Sequence, residues 1–503
     1  MKKTIFIKNT AVLTVSALLL RFIGVIFKVW LAKLIGSEGI GLYQLVFSVF
    51  VFASAFASSG ISTAVTRLCA DEISAGNSTG IKKVLKNSII ITLIIAFISM
   101  AVLIFGAKPI AKYILFDLRA EASIKILSFS LPFMGLCSCF RGYFFAERNA
   151  SLPSFSLILE QIIRIAVVFA GVKFTVNKGI SVTCAAIMFG DCLAEAGSCL
   201  FLYWLYLKKI KKFKTKNPEG VRKYNINAKI KEIAFPITAG RYLNSALRTI
   251  ENILIPKMLK LYGNSGKTAL SQFGMIKGMA LPLVFFPSTL LNSVSTLLIP
   301  ELSEAVTKGY KFVVKSTIEK TLFITGLAST FFASLFFICG ENIGVLIYGD
   351  RTVGILIKYL APITPLMYLD SICDGMLKGL NQQKFTFKVC ISDSVLRIIG
   401  IVFIVPKLGI TGFLGIMYFS NCFSAVLNVF RLHQVGNAGF YWLRKSVFSL
   451  VFSSFSVLLF DTLLSNIFNL SILVYIILVS LFSFLLYTFT ATYIQKINLR
   501  ELL

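Results

Sequence analysis

Residues 20–36 read Leu20-Arg21-Phe22-Ile23-Gly24-Val25-Ile26-Phe27-Lys28-Val29-Trp30-Leu31-Ala32-Lys33-Leu34-Ile35-Gly36, an apolar run broken by single cations. The pattern returns 227 positions later without gaps, from Leu247-Arg248-Thr249-Ile250-Glu251 to Leu259-Lys260-Leu261-Tyr262-Gly263. Further on, Ser62-Thr63 matches Ser295-Thr296 at a spacing of 233. The same spacing pairs Pro132 with Pro365, Ser138 with Ser371, Gly142 with Gly375, Glu160 with Asp393 and Arg164 with Arg397. Self-similarity over such distances marks repeated folding units.

A bilayer core of ~30 Å takes about 20 apolar residues as helix. Fourteen stretches have that length: 11–35, 42–66, 88–107, 123–147, 155–177, 180–207, 233–256, 269–299, 318–339, 356–380, 389–406, 410–430, 446–464 and 471–493. The first follows Lys2, Lys3 and Lys8 as a signal peptide would. It is too long for one and is read as retained. The repeat then groups the chain into an N-terminal lobe (1–207, spans 1–6), a basic linker (208–232), a C-terminal lobe (233–433, spans 7–12), and spans 13–14 with the tail (434–503). The expected fold is an all-α polytopic membrane protein with 14 transmembrane helices. Six spans per repeat give both lobes one orientation, related by a pseudo-twofold axis along the membrane normal, as in alternating-access carriers.

Composition agrees. Of 503 residues 56% are hydrophobic and 15% charged, against about 25% charged in soluble domains. Yet 51 Lys and Arg against 22 Asp and Glu leave a net charge of +29. These values argue against a disordered chain, a disulfide scaffold or a cytosolic enzyme. The ten cysteines form no CxxC pair and sit mostly in apolar runs, as small packing residues do. His433 stands alone, without neighbours for a metal site, and is read as a loop residue; no metal or other cofactor is expected.

Sorted onto alternate loops, the basic residues collect on one side. Lys82, Lys83, Lys86, Arg148, Lys308, Lys311, Lys315, Lys384, Lys388, Arg431, Arg444 and the block Lys208–Lys231 share that face. The positive-inside rule makes it cytoplasmic, with both termini there. The Lys208–Lys231 block lacks interleaved aromatics or a recognisable nucleic-acid module. It is read as a contact for anionic membrane lipids.

An ionisable residue at membrane depth is a site candidate by default. Arg21 and Lys28 lie seven apart on span 1, and Arg241 and Arg248 repeat that spacing on span 7, with Glu251 a turn beyond. With Lys277 these cations are the candidate substrate site, since arginine binds phosphate oxygens bidentately. Snorkelling to the interface is the alternative for Lys28 and Lys33. Asp191 and Glu195, with Glu251 and Asp374, are candidates for ion coupling. Glu160/Arg164 and Asp393/Arg397, spaced i,i+4 at equivalent repeat positions, read as structural ion pairs.

Arg21-Phe22-Ile23-Gly24 with Leu31-Ala32-Lys33-Leu34-Ile35-Gly36-Ser37-Glu38-Gly39-Ile40-Gly41-Leu42-Tyr43-Gln44 resembles the opening signature of polysaccharide-biosynthesis flippases, of the multidrug/oligosaccharidyl-lipid/polysaccharide (MOP) exporter superfamily. Gly60–Arg67, Arg141-Gly142-Tyr143-Phe144 and Leu159–Arg164 add to the likeness, which runs along nearly the whole chain. Within the superfamily it is most similar to the stage V sporulation protein B branch, relatives of the lipid II flippases. The resemblance implies a two-lobed fold of fourteen spans around a cationic cavity. It also implies an undecaprenyl-diphosphate-linked sugar or peptidoglycan precursor as substrate, turned to the outer leaflet in cell-wall, spore-cortex or surface-polysaccharide synthesis. Arg21 matches a span-1 arginine important in the lipid II flippases; where a second is expected, this chain has Phe27-Lys28. Whether a cell-wall polymerase partners it stays open.

A cation-coupled multidrug exporter of the same superfamily is the alternative, kept by Asp191 and Glu195. A membrane glycosyl- or acyltransferase would need an acidic metal motif or catalytic histidine, and neither is present. A sugar-porter-like facilitator would carry Gly-x-x-x-Asp-Arg-x-Gly-Arg after span 2, where Leu68–Asn77 stands.

Overall fold

The computed structural model describes residues 2–58, 60–210, 225–467 and 471–493. Every regular element in them is helical. The first repeat forms α1 (Lys2–Ser58), α2 (Ile61–Ser74), α3 (Ser78–Pro109), α4 (Ala120–Ser128), α5 (Ser130–Ala146), α6 (Ser151–Thr175) and α7 (Ile180–Ile210). The second forms α8 (Ile226–Leu261), α9 (Gly266–Phe273), α10 (Leu281–Phe285), α11 (Ser288–Thr307), α12 (Lys311–Tyr348), α13 (Arg351–Leu360), α14 (Thr364–Gly379), α15 (Gln383–Phe403) and α16 (Val405–Gly436). Then follow α17 (Tyr441–Ile467) and α18 (Ile472–Tyr493).

Eleven of these helical segments are long and apolar enough to cross a bilayer. One of them, Val12–Ser74, is long enough for two spans. The other two of the fourteen are α8 and α15. Both have the length, but Arg241, Arg248 and Glu251 on α8, and Asp393 and Arg397 on α15, lower their apolarity. The two spans poorest in apolar character thus each carry candidate charges. This is a multi-pass membrane protein.

The backbone records the repeat independently. Left-handed φ values recur at Gly36 and Gly263, Gly76 and Gly309, Phe116 and Gly349, Arg148 and Asn381, and Gly179 and Gly409. One residue after the third pair an aspartate caps the following turn: Asp117 Oδ1 accepts from the Arg119 amide at 2.9 Å, and Asp350 Oδ1 from the Thr352 amide at 2.7 Å. The spacing drifts from 227 through 233 to 230, because connecting loops differ in length.

Packing divides the chain into two compact units. The first takes residues up to Phe27 and from Leu42 to Ile253; the second takes Lys28–Gly41 and everything from Leu254. Both α1 and α8 therefore contribute to both units.

Within the first unit, Val65, Leu68, Val84, Leu85, Phe140, Tyr143, Phe144 and Leu202 form the apolar core. Cys69, Cys137, Cys139 and Cys199 pack there as buried free thiols. Within the second, Ile318, Leu322, Ile372, Met376, Leu377, Leu432 and Trp442 do the same.

The second unit also holds the middle of α1. Residues 36–41 were expected as a loop; they are helical except at Gly36, whose φ of 68° and ψ of 178° break the helix direction. The residues after the break run close to the backbone of 270–274. A Cβ on Gly41 would stand 2.2 Å from the Leu270 carbonyl oxygen, and one on Gly274 2.0 Å from that of Ser37. Ser37 and Ser271 share a 2.6 Å hydroxyl hydrogen bond beside them.

The two extra helices are tied to α12 by hydroxyls. Ser334 Oγ bonds Ser453 Oγ at 2.8 Å, and Tyr487 donates to the Leu327 carbonyl at 3.1 Å. Interhelical bonds of this kind hold spans together where lipid removes the hydrophobic drive.

His433 corrects its expected loop placement. It is buried in the last turn of α16, stacked on Phe440 at 3.9 Å between ring centroids. Its Nδ1 lies 2.7 Å from the Ala438 carbonyl, and its Nε2 accepts from Trp442 Nε1 at 3.1 Å. Indole only donates, so the ring is neutral with its proton on Nδ1.

Candidate functional site

In the first unit the second half of α1 lies against α8 in antiparallel fashion. Thr249 Oγ1 donates to the Ser48 carbonyl at 3.0 Å. Phe56 and Tyr242 stack at 3.9 Å, and Gly60 meets the α8 backbone at Ala234. These three rungs run down α1 as they run up α8.

Where the helices part, a cavity of about 410 Å³ opens, within the ~300–1,000 Å³ usual for ligand sites. From α1 it is lined by Gln44, Ser48, Val51, Ala55 and Ser58, one helical face. From α8 it is lined by Arg241, Ser245, Arg248 and Asn252, again one face, with Asn244 and Thr249 alongside. Among the described residues, none of those lining it is a carboxylate. Two guanidiniums, three amides and several hydroxyls thus face one space, a donor set for an anion bearing further oxygens. Ser245 Oγ, also lining it, is buried without a protein partner.

The other candidates lie elsewhere. Arg21 is in the first unit, exposed on α1, and does not line this cavity. Lys28, half-buried, belongs to the second unit. So does Lys277, which stands on a wide π-helical turn (Gly274–Ala280) with its ammonium 5.7 Å from the Phe413 ring. Glu251 is buried on α8. Asp374 is half-buried and bonded to Lys378 at 2.5 Å. Of the basic block, residues 211–224 lie outside the described residues.

A second constellation forms among α5, α6 and α7. Arg164 Nη2 lies 2.9 Å from Glu160 Oε1, and Arg141 Nη2 2.9 Å from Glu160 Oε2. Arg164 Nε stands 2.6 Å from Asp191 Oδ1, an ion contact whose N–H is not aligned with the oxygen. Ser156, Gln161 and Ser198 complete the guanidinium contacts. Glu195 is buried close by, with Oε2 unpartnered. In the second repeat Arg397 Nε lies 3.1 Å from Asp393 Oδ2, with Ser420 hydrogen-bonded to both residues.

Sequence reasoning found Arg241, Arg248 and the local pairs. It missed Gln44, Ser48, Ser58, Asn244 and Asn252 as lining residues, although their helical periodicity was present. It also missed Arg141 as the partner of Glu160, which lies 19 residues away on another helix.

The chain belongs to the polysaccharide biosynthesis protein family, which matches residues 6–306. It is 26% identical over 424 residues to stage V sporulation protein B of Bacillus subtilis (strain 168), covering 82% of this chain and 80% of the relative. It is 21% identical over 417 residues to lipid II flippase MurJ of the same organism, covering 78% and 76%. In three dimensions it is similar to a lipid II flippase MurJ in an inward closed conformation, with a TM-score of 0.74 at 15% identity over 96% of this chain and 98% of that one. Family and fold together define a flippase-like transporter of the MOP superfamily.

Proposed function

We propose that the protein moves an undecaprenyl-diphosphate-linked sugar or peptidoglycan precursor from the inner to the outer leaflet, serving cell-wall, spore-cortex or surface-polysaccharide synthesis. The observation that carries this reading is the cavity of the first unit, where Arg241 and Arg248 line a space with amides and hydroxyls but, among the described residues, no carboxylate. Guanidiniums take the diphosphate, the amides and hydroxyls take sugar oxygens, and the lipid tail stays in the bilayer. Arg21, Lys28 and Lys277 attract the headgroup on its way. An anion leaving a negative-inside cell gains ~2.3 kcal/mol per charge per 100 mV, so the membrane potential favours export. The lobes 1–207 and 233–433 act as the alternating halves. The termini and the Lys208–Lys231 block are cytoplasmic, the block resting on anionic lipid.

The test is headgroup accessibility in proteoliposomes holding a fluorescent lipid-diphosphate sugar. Wild-type protein equilibrates it between leaflets and Arg241→Ala/Arg248→Ala slows this at least tenfold; equal rates refute the assignment. The drug-exporter reading instead predicts resistance to lipophilic cations that Asp191→Asn abolishes. The cationic cavity counts against it.

A further inference from the structure

The buried constellation of the first unit has an uneven charge count. Arg141 and Arg164 are two cations; Glu160, Asp191 and Glu195 are three acids. The contacts say which acid is left over. Glu160 meets both guanidiniums, one through each oxygen, at 2.9 Å. Asp191 meets Arg164 at 2.6 Å. Among the described residues Glu195 has no ion pair; it is 8% exposed and its Oε2 has no hydrogen-bond partner among them. With Glu160 and Asp191 ionised the two arginines are already neutralised, and a third carboxylate would be an uncompensated buried charge, which a low-dielectric interior strongly disfavours.

The other groups facing Glu195 do not change this count. From α5 come Arg141 and the Cys137 thiol, whose Sγ lies 3.9 Å from the Glu195 carbonyl oxygen. From α6 come Glu160 and Arg164, and from α7 itself Asp191 and the thiols of Cys192 and Cys199. From α1 Tyr43 faces Asp191 and Arg164 with a neutral phenol. Against α7 from the α4 side, Glu121 pairs with Lys125 at 2.6 Å and Asp117 with Arg119 at 2.7 Å.

Nor does the helix require acids there. Phe189-Gly190-Asp191-Cys192 of α7 corresponds to Phe419-Ser420-Asn421-Cys422 of α16, so Asp191 has Asn421 as its counterpart and Glu195 has Ala425. The second repeat builds the same span with an amide and a methyl group.

A metal ion is a poor neutraliser here. Hard cations need several converging oxygens, and among the described residues no three His, Cys, Asp or Glu side chains are placed to hold one. A proton needs a single oxygen.

We propose that Glu195 is a proton-binding site, a neutral carboxylic acid at rest, through which the first unit binds and releases one proton. Binding forms one O–H bond on a Glu195 carboxyl oxygen with a proton from bulk water and cancels one negative charge; release reverses both. The assignment stands apart from the lipid reading, since its test involves no transport.

Full-length protein in nanodiscs is compared by infrared spectroscopy at neutral pH, in H2O and D2O. The wild type shows the C=O band of a protonated carboxyl in an apolar setting. Glu195→Gln loses it, whereas Asp374→Asn, altering an acid of the second unit paired with Lys378, keeps it. Absence of the band from the wild type, or its survival in Glu195→Gln, overturns the proposal. So does loss of the band when sodium replaces choline at fixed pH, which assigns the site to a metal cation. Glutamine stands in for the neutral acid, so Glu195→Gln accumulates and unfolds close to the wild-type temperature; failure of this variant to fold also overturns it.

Discussion

Thr249 Oγ1 hydrogen-bonds the Ser48 carbonyl at 3.0 Å, joining helices 201 residues apart in the chain. Both residues line the cavity of the first unit, so the bond sets the distance between its two walls. Interhelical hydrogen bonds in membranes contribute about 0.6 kcal/mol on average. Thr249→Val keeps the shape and removes the donor. It lowers stability by roughly that amount, read as a small drop in detergent unfolding temperature. Thr249→Leu, which overfills the contact, costs about 1–3 kcal/mol.

The two arginines of the cavity should act as a pair. A hydrogen bond to a charged group is worth ~1.5–3 kcal/mol, and ~1.4 kcal/mol is tenfold in affinity. Arg241→Ala or Arg248→Ala therefore weakens binding of a soluble diphosphate-sugar headgroup by about tenfold to a hundredfold, measured by titration calorimetry. Lysine at either position restores part of this, keeping the charge but losing the bidentate fork. Arg21→Ala, outside the cavity, leaves headgroup affinity within about twofold of wild type on the same scale.

Much of the fold was legible because membrane spans announce themselves by apolar length and the repeat aligns without gaps at its start. Legibility failed where three-dimensional contact overrides local pattern. Ser37–Gly41 reads as a loop beside Gly36, yet it is helical and packs closely on the backbone at Leu270 and Gly274. Glu160 and Arg164 were visible because i,i+4 pairs are local, whereas Arg141 joins them from another helix. Ser48 and Ser58 line the cavity from within an apolar run, where hydroxyls that bond their own helix carry little signal.

Glu160 should matter far more than an acid in a solvent-facing ion pair. It is the partner of two part-buried guanidiniums, so Glu160→Ala takes the ion pair from Arg141 and leaves Arg164 with Asp191 alone; breaking a buried pair by removing one partner costs ~3–5 kcal/mol. The Asp374–Lys378 pair is exposed, and Asp374→Asn should cost at most about 1 kcal/mol. Unfolding temperatures of the two variants in the same detergent make the comparison. Equal losses would mean that the Arg141–Glu160–Arg164 cluster is as well solvated as the surface pair.

His433 and Trp442 offer a test of how α17 is held to α16. Trp442→Phe removes the indole donor to Nε2 while keeping an aromatic ring, so it should cost ~1 kcal/mol. His433→Ala also loses the stack on Phe440 and the contact with the Ala438 carbonyl, and should cost ~2–3 kcal/mol. In the double variant the hydrogen-bond term is lost only once. The double-mutant cycle should therefore return a coupling of about 0.5–1.5 kcal/mol in unfolding free energy, and strict additivity would show that the 3.1 Å contact carries none.

The contact between Gly274 and Ser37 gives the sharpest contrast between two chemically identical changes. A methyl group at Gly274 would stand 2.0 Å from the Ser37 carbonyl oxygen and 2.7 Å from the Gly41 nitrogen, both backbone atoms that cannot swing aside. Gly274→Ala must therefore push the middle of α1 away from the wide turn that carries Lys277, and overpacking of this kind costs about 1–3 kcal/mol or more. Gly415, in α16, has nothing within 4 Å of the same added methyl. Alanine there gains helix propensity, so Gly415→Ala should be neutral or stabilising by up to ~1 kcal/mol. The unfolding temperature of Gly274→Ala should fall while that of Gly415→Ala holds or rises; a Gly274→Ala protein as stable as Gly415→Ala would show that α1 does not pack backbone to backbone at this point.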